Sequence, residues 1–223
     1  MRTIVYVDGY NLYYSSLTKS PHKWLDLYEL FATRVIKPIE PRATVEKIKF
    51  FTAPILGRFA SDKESPNRQQ RYHNALQAKY ADRIEIICGY HLLKETTGYP
   101  VVTTGGADPI NVRVLEEKQT DVNIGLHMYR DAALDLADQL VLVSNDSDIA
   151  PALEMIRADH PRLTIGVIIP ALADNERARR SGQLSQLSDW TRDHLNTAEL
   201  GESQLPAAIQ NHKNKTIRKP DAW

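Results

Sequence analysis

The sequence predicts an α/β fold built on a mainly parallel sheet of about five strands, and three observations carry that prediction. Short runs rich in β-branched residues alternate with longer amphipathic stretches, the pattern of βαβ units. The runs are near-continuously apolar, as strands covered on both faces must be. The stretches between them repeat their apolar residues at helical spacing and stop at prolines or glycines.

Taken in order, the predicted strands are Thr3 to Val7, Lys47 to Thr52, Arg83 to Cys88, Gln139 to Ser144 and Leu163 to Ile169. Between the first two, Trp24, Leu25, Leu27, Tyr28, Leu30, Phe31 and Val35 recur at helical spacing, and Pro38 and Pro41 are expected to end that helix. Arg68 to Tyr80 and Lys118 to Ala137 read as helices in the same way. Asp148 precedes Pro151, Leu153, Met155 and Ile156 and is placed to cap a helix that tolerates the proline in its first turn. Thr96 to Pro109 contains Gly98, Pro100, Gly105, Gly106 and Pro109 and reads as a long surface loop. After Pro170 the pattern weakens: Asn175 to Arg180 is charged, and Leu184 to Leu195 is a modest helix candidate. Residues 1–200 are expected to form the domain, and 201–223 a polar, locally basic C-terminal tail that is mobile.

Composition bounds the function. A chain of 223 residues, 42% hydrophobic, suffices for one packed core. Lys plus Arg number 28 and Asp plus Glu 28, so no global basic field attracts polyanions, and any nucleic-acid site must be a local patch. The single cysteine, Cys88, excludes an internal disulfide and a thiolate metal cluster, and ending an apolar run it reads as a small buried hydrophobe. There is no secretory pattern and no run of roughly 20 apolar residues, so a soluble cytoplasmic protein without membrane contact is expected. Oligomeric state is not readable, self-association included.

The chemistry gathers at strand ends. The first strand runs into Asp8-Gly9-Tyr10-Asn11, where Gly9 is read as permitting a tight turn, and the fourth runs through Ser144-Asn145 into Asp146-Ser147-Asp148. Carboxyl ends of parallel strands are where ligands bind. Each aspartate alone is explained by local capping, but Asp146 and Asp148 after a core strand crowd like charges, and a cation explains them better. Hard oxygen donors without cysteine or paired histidine favour Mg²⁺ or Mn²⁺. Glu116-Glu117-Lys118-Gln119-Thr120-Asp121 reads as a helix start, with Lys118 and Asp121 on one face, so that Lys118 screens the acidic cluster or meets a phosphate.

These blocks, in this order, resemble the NYN-domain family of the PIN-like nuclease superfamily, LabA-like proteins included. Val7-Asp8-Gly9-Tyr10-Asn11 matches an aspartate-glycine-x-asparagine block. Lys118 with Asp121 matches a lysine followed three residues later by aspartate. Ser144-Asn145-Asp146-Ser147-Asp148 matches serine-glycine-aspartate-serine-aspartate, with Asn145 where glycine is usual; asparagine tolerates the left-handed backbone that glycine would adopt. The resemblance spans roughly Arg2 to Pro170. It implies a three-layer α/β/α sandwich, PIN-like, in which Asp8, Asp121, Asp146 and Asp148 are catalytic and hold Mg²⁺ or Mn²⁺. Asn11 and Ser144 then orient those carboxylates. The activity implied is metal-dependent ribonuclease; the alternative is a non-catalytic RNA-binding or regulatory module on the same scaffold.

For the nucleic acid, Arg58, Lys63, Arg68 and Arg71 surround one breaker-containing segment, Lys94 and Tyr99 border the glycine-rich loop, and Asn211 to Pro220 is locally basic; a solvated surface explains each as well. His73, a lone histidine on a helix, reads as structural or exposed. Phosphohydrolases that use Asp8 as covalent nucleophile want a second aspartate where Tyr10 stands, and receiver domains want one after the third strand, where Gly89-Tyr90-His91 follows. Oxidoreductases of the dinucleotide-binding kind lack their glycine-rich turn after strand one.

Overall fold

The computed structural model describes residues 1–60, 62–101, 108–173 and 181–223. Its centre is a six-stranded parallel sheet of β1 (Arg2–Asp8), β2 (Thr44–Thr52), β3 (Ile84–Cys88), β6 (Gln139–Val143), β7 (Thr164–Ile168) and β8 (Trp190–Arg192), in the order β3-β2-β1-β6-β7-β8. Successive side chains of a strand point to opposite faces. In β1, Ile4 and Tyr6 therefore join Leu140, Leu142, Ile165 and Val167 under α4 (Thr120–Ala133) and α5 (Ala150–Asp159), which contribute Ile124, Met128, Leu153 and Ile156. Val5 and Val7 turn the other way, to Ile48, Val141 and Val143, and pack with Trp24, Leu30, Phe31, Val35, Ile36 and Leu76. Both faces are covered, which is why the strands read as unbroken apolar runs.

The second layer begins with α1 (Gly9–Leu12), which continues into a π-helical turn, Tyr13–Leu17. It also holds a π-helical stretch, Glu29–Ile36, that closes in α2 (Lys37–Ile39), and α3 (Ser65–Lys79). Pro38 does not end that helix. It lies in the first turn of α2, where a missing N–H costs little.

Several expectations are corrected. The sixth strand, β8, lies within the predicted helix 184–195; only α6 (Gly182–Gln186) is helical there. Trp190 faces Gly166, where a Cβ would come within 2.2 Å of its ring, and its indole donates to Gln139 Oε1 at 3.0 Å. The predicted loop 96–109 is flanked by an antiparallel pair, β4 (Tyr90–Gly98) and β5 (Ile110–Lys118), while its Gly105 and Gly106 lie outside the described residues. Asn175 to Arg180 lies outside them too. Glu116, Glu117 and Lys118 end β5 rather than open a helix, and α4 begins at Thr120. Cys88 is exposed, because β3 is the sheet edge.

The expected mobile tail is folded. After α7 (Thr197–Glu202), Ser203 and Leu205 are buried, β9 (Ala208–Gln210) pairs with β10 (Thr216–Arg218), and Trp223 packs on Trp24 and Tyr72 at centroid distances of 6.2 and 5.9 Å. Trp24 is fully buried and donates its indole N–H to Pro206 O at 2.9 Å. The aromatic surface shared between Trp24, Tyr72 and Trp223 anchors this segment.

Candidate active site at the sheet switch point

β1 and β6 lie side by side, with β2 and β3 outside one and β7 and β8 outside the other. In an open parallel sheet, the crevice for a ligand forms at the carboxyl ends of the strands where the order reverses. Those ends carry Asp8 and the segment from Ser144 to Asp148.

Asp8 is buried and caps α1. One carboxylate oxygen accepts the Asn11 N–H at 2.9 Å, and the other accepts the Ser144 hydroxyl at 2.9 Å. Gly9 is required by contact rather than by turn freedom: a Cβ there would stand 2.6 Å from Phe51 O and 2.8 Å from the Phe50 ring. Ser144 also accepts the Asp146 N–H at 3.0 Å, so one hydroxyl ties both strand ends. Asp146 in turn accepts the Asp148 N–H at 3.0 Å and caps the short 3₁₀ turn Ser147–Ile149. Asn11 Oδ1 accepts the Asn145 N–H at 3.1 Å, and Asn145 Oδ1 accepts the Ser181 N–H at 2.8 Å. Asn145 does not use the left-handed backbone: among described non-glycine residues only Gln119, Asp135 and Asn214 have positive φ. Its side chain bridges segments instead.

Gln119, with φ 77°, is the left-handed residue that matters, because it turns β5 into α4 and sets Asp121 in the first helical turn. That conformation costs an ordinary residue about 1–2 kcal/mol. The junction is close-packed: a Cβ on Gly89 would lie 2.3 Å from Lys118 O and 2.9 Å from a Glu117 carboxylate oxygen.

The electrostatics tie the carboxyls together. Asp121 is pushed up to about 6, by burial first and then by the charges of Asp8, Asp146, Glu117 and Asp148. Asp8 is also raised, chiefly by burial and further by Asp146 and Glu117, against the lowering effect of its Asn11 and Ser144 bonds. Glu117 is the member that sequence reasoning missed. It sits on a strand that reads as a helix start, and its carboxylate accepts the Thr120 N–H at 3.2 Å. Lys118 does not share a helix face with Asp121; it ends β5 and pairs with Glu116 at 2.6 Å.

As placed, no three His, Cys, Asp or Glu side chains among the described residues stand close enough to share one metal ion. The donor chemistry nonetheless fits a hard divalent cation: oxygen ligands only, with mutual repulsion that a cation relieves. Sharing one ion requires these side chains to draw inward.

The basic residues are dispersed. Arg58 is exposed and stacks over Phe59, 4.8 Å from the ring centroid. Lys63, Arg71 and Lys94 are exposed, and Arg68 pairs with Asp62. Tyr99 is also exposed. Of the basic set, Arg68 alone lines a cavity of about 500 Å³ beside the acidic edge, whose walls include Gly9, Tyr10, Tyr13, Tyr14, Phe59, His73, His91 and Trp223. No helix among the described residues is long and apolar enough to cross a membrane.

The family model described as NYN domain matches residues 2–184. The 6-hydroxy-3-succinoylpyridine 3-monooxygenase HspA of Pseudomonas putida is 39% identical over 241 residues, an alignment covering 100% of this chain and 75% of that protein. A crystal structure of a protein of unknown function from Vibrio parahaemolyticus superposes with a TM-score of 0.50 at 18% identity, covering 88% of this chain and 93% of that one. This last likeness concerns fold alone.

Proposed function

The chain belongs to the NYN domain family, with its PIN-like α/β architecture, and from that premise we propose that it is a metal-dependent phosphodiesterase acting on RNA in the cytoplasm. The observation that carries this reading is the coupling of Asp8, Asp121, Asp146, Asp148 and Glu117 at the switch point between β1 and β6. A structural capping role for each aspartate does not account for so many like charges sensing one another.

Asp8, Asp121, Asp146 and Asp148 would hold Mg²⁺ or Mn²⁺, which when bound supplies Lewis acidity toward a phosphate oxygen and toward water. Asn11 and Ser144 keep the Asp8 carboxylate oriented. A carboxyl of this group that the ion leaves free would take the proton from the attacking water. The test incubates the purified protein and Asp146→Asn with structured RNA, single-stranded RNA and single-stranded DNA, in Mg²⁺, Mn²⁺ or chelator. Cleavage abolished by both the substitution and the chelator is expected. Manganese binding without turnover on any of these would replace the nuclease by a binding module.

A second reading is favoured by one observation, the 500 Å³ aromatic cavity, together with the likeness, over the whole of this chain and 75% of the relative, to a protein named for oxygenating a hydroxypyridine. Such a reaction places one atom of dioxygen on the ring and reduces the other to water, using two electrons from a donor of the reduced nicotinamide or flavin class. Substrate-dependent oxygen uptake with such a donor, measured beside the nuclease assay, separates the two.

A further inference from the structure

The 500 Å³ cavity has the size and lining of a small-molecule site, mostly apolar with a few convergent polar groups. Its aromatic residues are arranged as ring faces and edges. Tyr10 and Tyr14 stack at 6.1 Å with planes 16° apart, and Tyr13 meets Tyr14 edge-on at 5.3 Å. Deeper in, Tyr72 meets Phe50 and Trp223 edge-on, at 6.4 and 5.9 Å. Tyr14, 68% exposed, stands toward solvent, whereas His73 is 8% exposed.

His73 distinguishes this cavity from an ordinary apolar void. Its ring contacts Phe50 and Tyr72, yet among the described residues neither ring nitrogen has a hydrogen-bond partner. Burial pulls it down to about 4, so at neutral pH it is the uncharged imidazole, with one N–H donor and one bare acceptor nitrogen. Among the described residues the fully buried side-chain polar atoms without a partner are Arg34 Nε, Asp131 Oδ1, Ser203 Oγ and Gln204 Oε1, and the His73 nitrogens are not in that set, so the edge of its ring stays reachable from the cavity, where a ligand atom can pair with it. Gln69, also in the wall, is already engaged: its amide N–H groups go to Ala53 O at 3.0 Å and Thr52 Oγ1 at 3.4 Å, and its oxygen accepts the Ile55 N–H at 2.9 Å. Gln69 therefore shapes the wall, and His73 offers the free hydrogen-bonding edge.

We propose that this cavity binds a single planar nitrogen heteroaromatic ring, stacked among Tyr10, Tyr13 and Tyr14 and hydrogen-bonded by His73. Such a ring has π-faces for the tyrosines and both donors and acceptors on its edge for a neutral imidazole. The same chemistry is carried by a base of an RNA strand and by a free hydroxypyridine. The proposal deepens the preceding functional reading in naming the ring beside the acidic edge, but rests on none of its catalytic steps.

Trp223 lines the cavity and touches Trp24, so tryptophan fluorescence of the full chain reports occupancy. Uridine, adenosine and 2-hydroxypyridine are titrated, with ribose 5-phosphate and cyclohexanol as ring-free controls. Saturable change with the heteroaromatics and none with the controls is expected. His73→Leu should weaken binding at least tenfold and His73→Gln less; Tyr14→Ala, at an exposed position, should weaken it severalfold without unfolding the protein. Tighter binding of nucleosides than of 2-hydroxypyridine assigns the ring to a nucleic acid, and the reverse assigns it to a free small molecule. Ring binding by the parent protein that cleaves no RNA under any metal condition overturns the nuclease reading and leaves the cavity assignment standing. No saturable heteroaromatic binding, or equal binding by folded His73→Leu and Tyr14→Ala, overturns the cavity assignment.

Discussion

Helix α4 carries a buried or half-buried aspartate near each end, and the two have opposite neighbours. Asp131, fully buried, accepts Lys49 Nζ at 2.6 Å and the Tyr6 hydroxyl at 2.6 Å. Asp121, in the first turn, faces Asp8, Asp146, Asp148 and Glu117, and the charges that shift it are all negative. Burial is common to both. The sign of the surroundings separates a buried aspartate whose charge is paired from one whose charge is opposed by its neighbours.

The largest effect should come from breaking the paired end. Lys49→Met leaves the Asp131 carboxylate buried without its partner, a loss of about 3–5 kcal/mol that thermal unfolding would register. The double variant Lys49→Met with Asp131→Leu should regain most of that, since an apolar pair replaces an ion pair at little cost. Catalysis per folded molecule should be untouched in the double variant.

At the unpaired end the effects reverse, touching activity before stability. Asp8→Asn or Asp146→Asn should lower metal-dependent cleavage by about 100-fold or more, equivalent to roughly 2.7 kcal/mol, with little loss of melting temperature. Melting points unchanged and rates unchanged together would place both aspartates among simple caps.

Asp121 sharpens the contrast through pH. Its folded value, about 6, lies above the ordinary 3.8, so its contribution to stability is fully present below 3.8 and is lost as pH rises through 6. Asp121→Asn should therefore melt higher than the parent at pH 8, by about 2–4 °C after allowing for solvent screening, and equal it near pH 3.5. A melting difference, measured in chelator, that does not change across this range would deny the raised value. Smallest is Ser144→Ala, which removes the hydroxyl donated to Asp8 and should cost about 1 kcal/mol in unfolding free energy, with a modest drop in rate.

The parts of this molecule legible in the sequence are those whose cause is local. β1, β6 and β7 are read correctly because their residues are buried on both faces and say so as apolar runs, and β2 and the edge strand β3 because their β-branched and aromatic residues still form short apolar runs. β4 and β5 are not, since a hairpin exposing Tyr90, Leu92, Val114 and Leu115 carries no clean alternation. β8 is three residues long and depends on Trp190 finding Gly166. The site divides the same way. Asp8 and Asp146 follow from strand ends, whereas Glu117 enters only through the left-handed turn at Gln119, and His73 looks like any helix histidine until Phe50 and Tyr72 pack against it in the cavity wall.

The packing of Trp223 against Trp24 has a consequence for the growing polypeptide. A chain emerging amino end first can assemble the acidic edge once β6 and β7 have followed β1, but the cavity lacks one wall until Trp223 arrives. Carboxylates and ring cavity thus mature at different moments of synthesis, and a ribosome-bound intermediate stopped after β7 would display the first without the second.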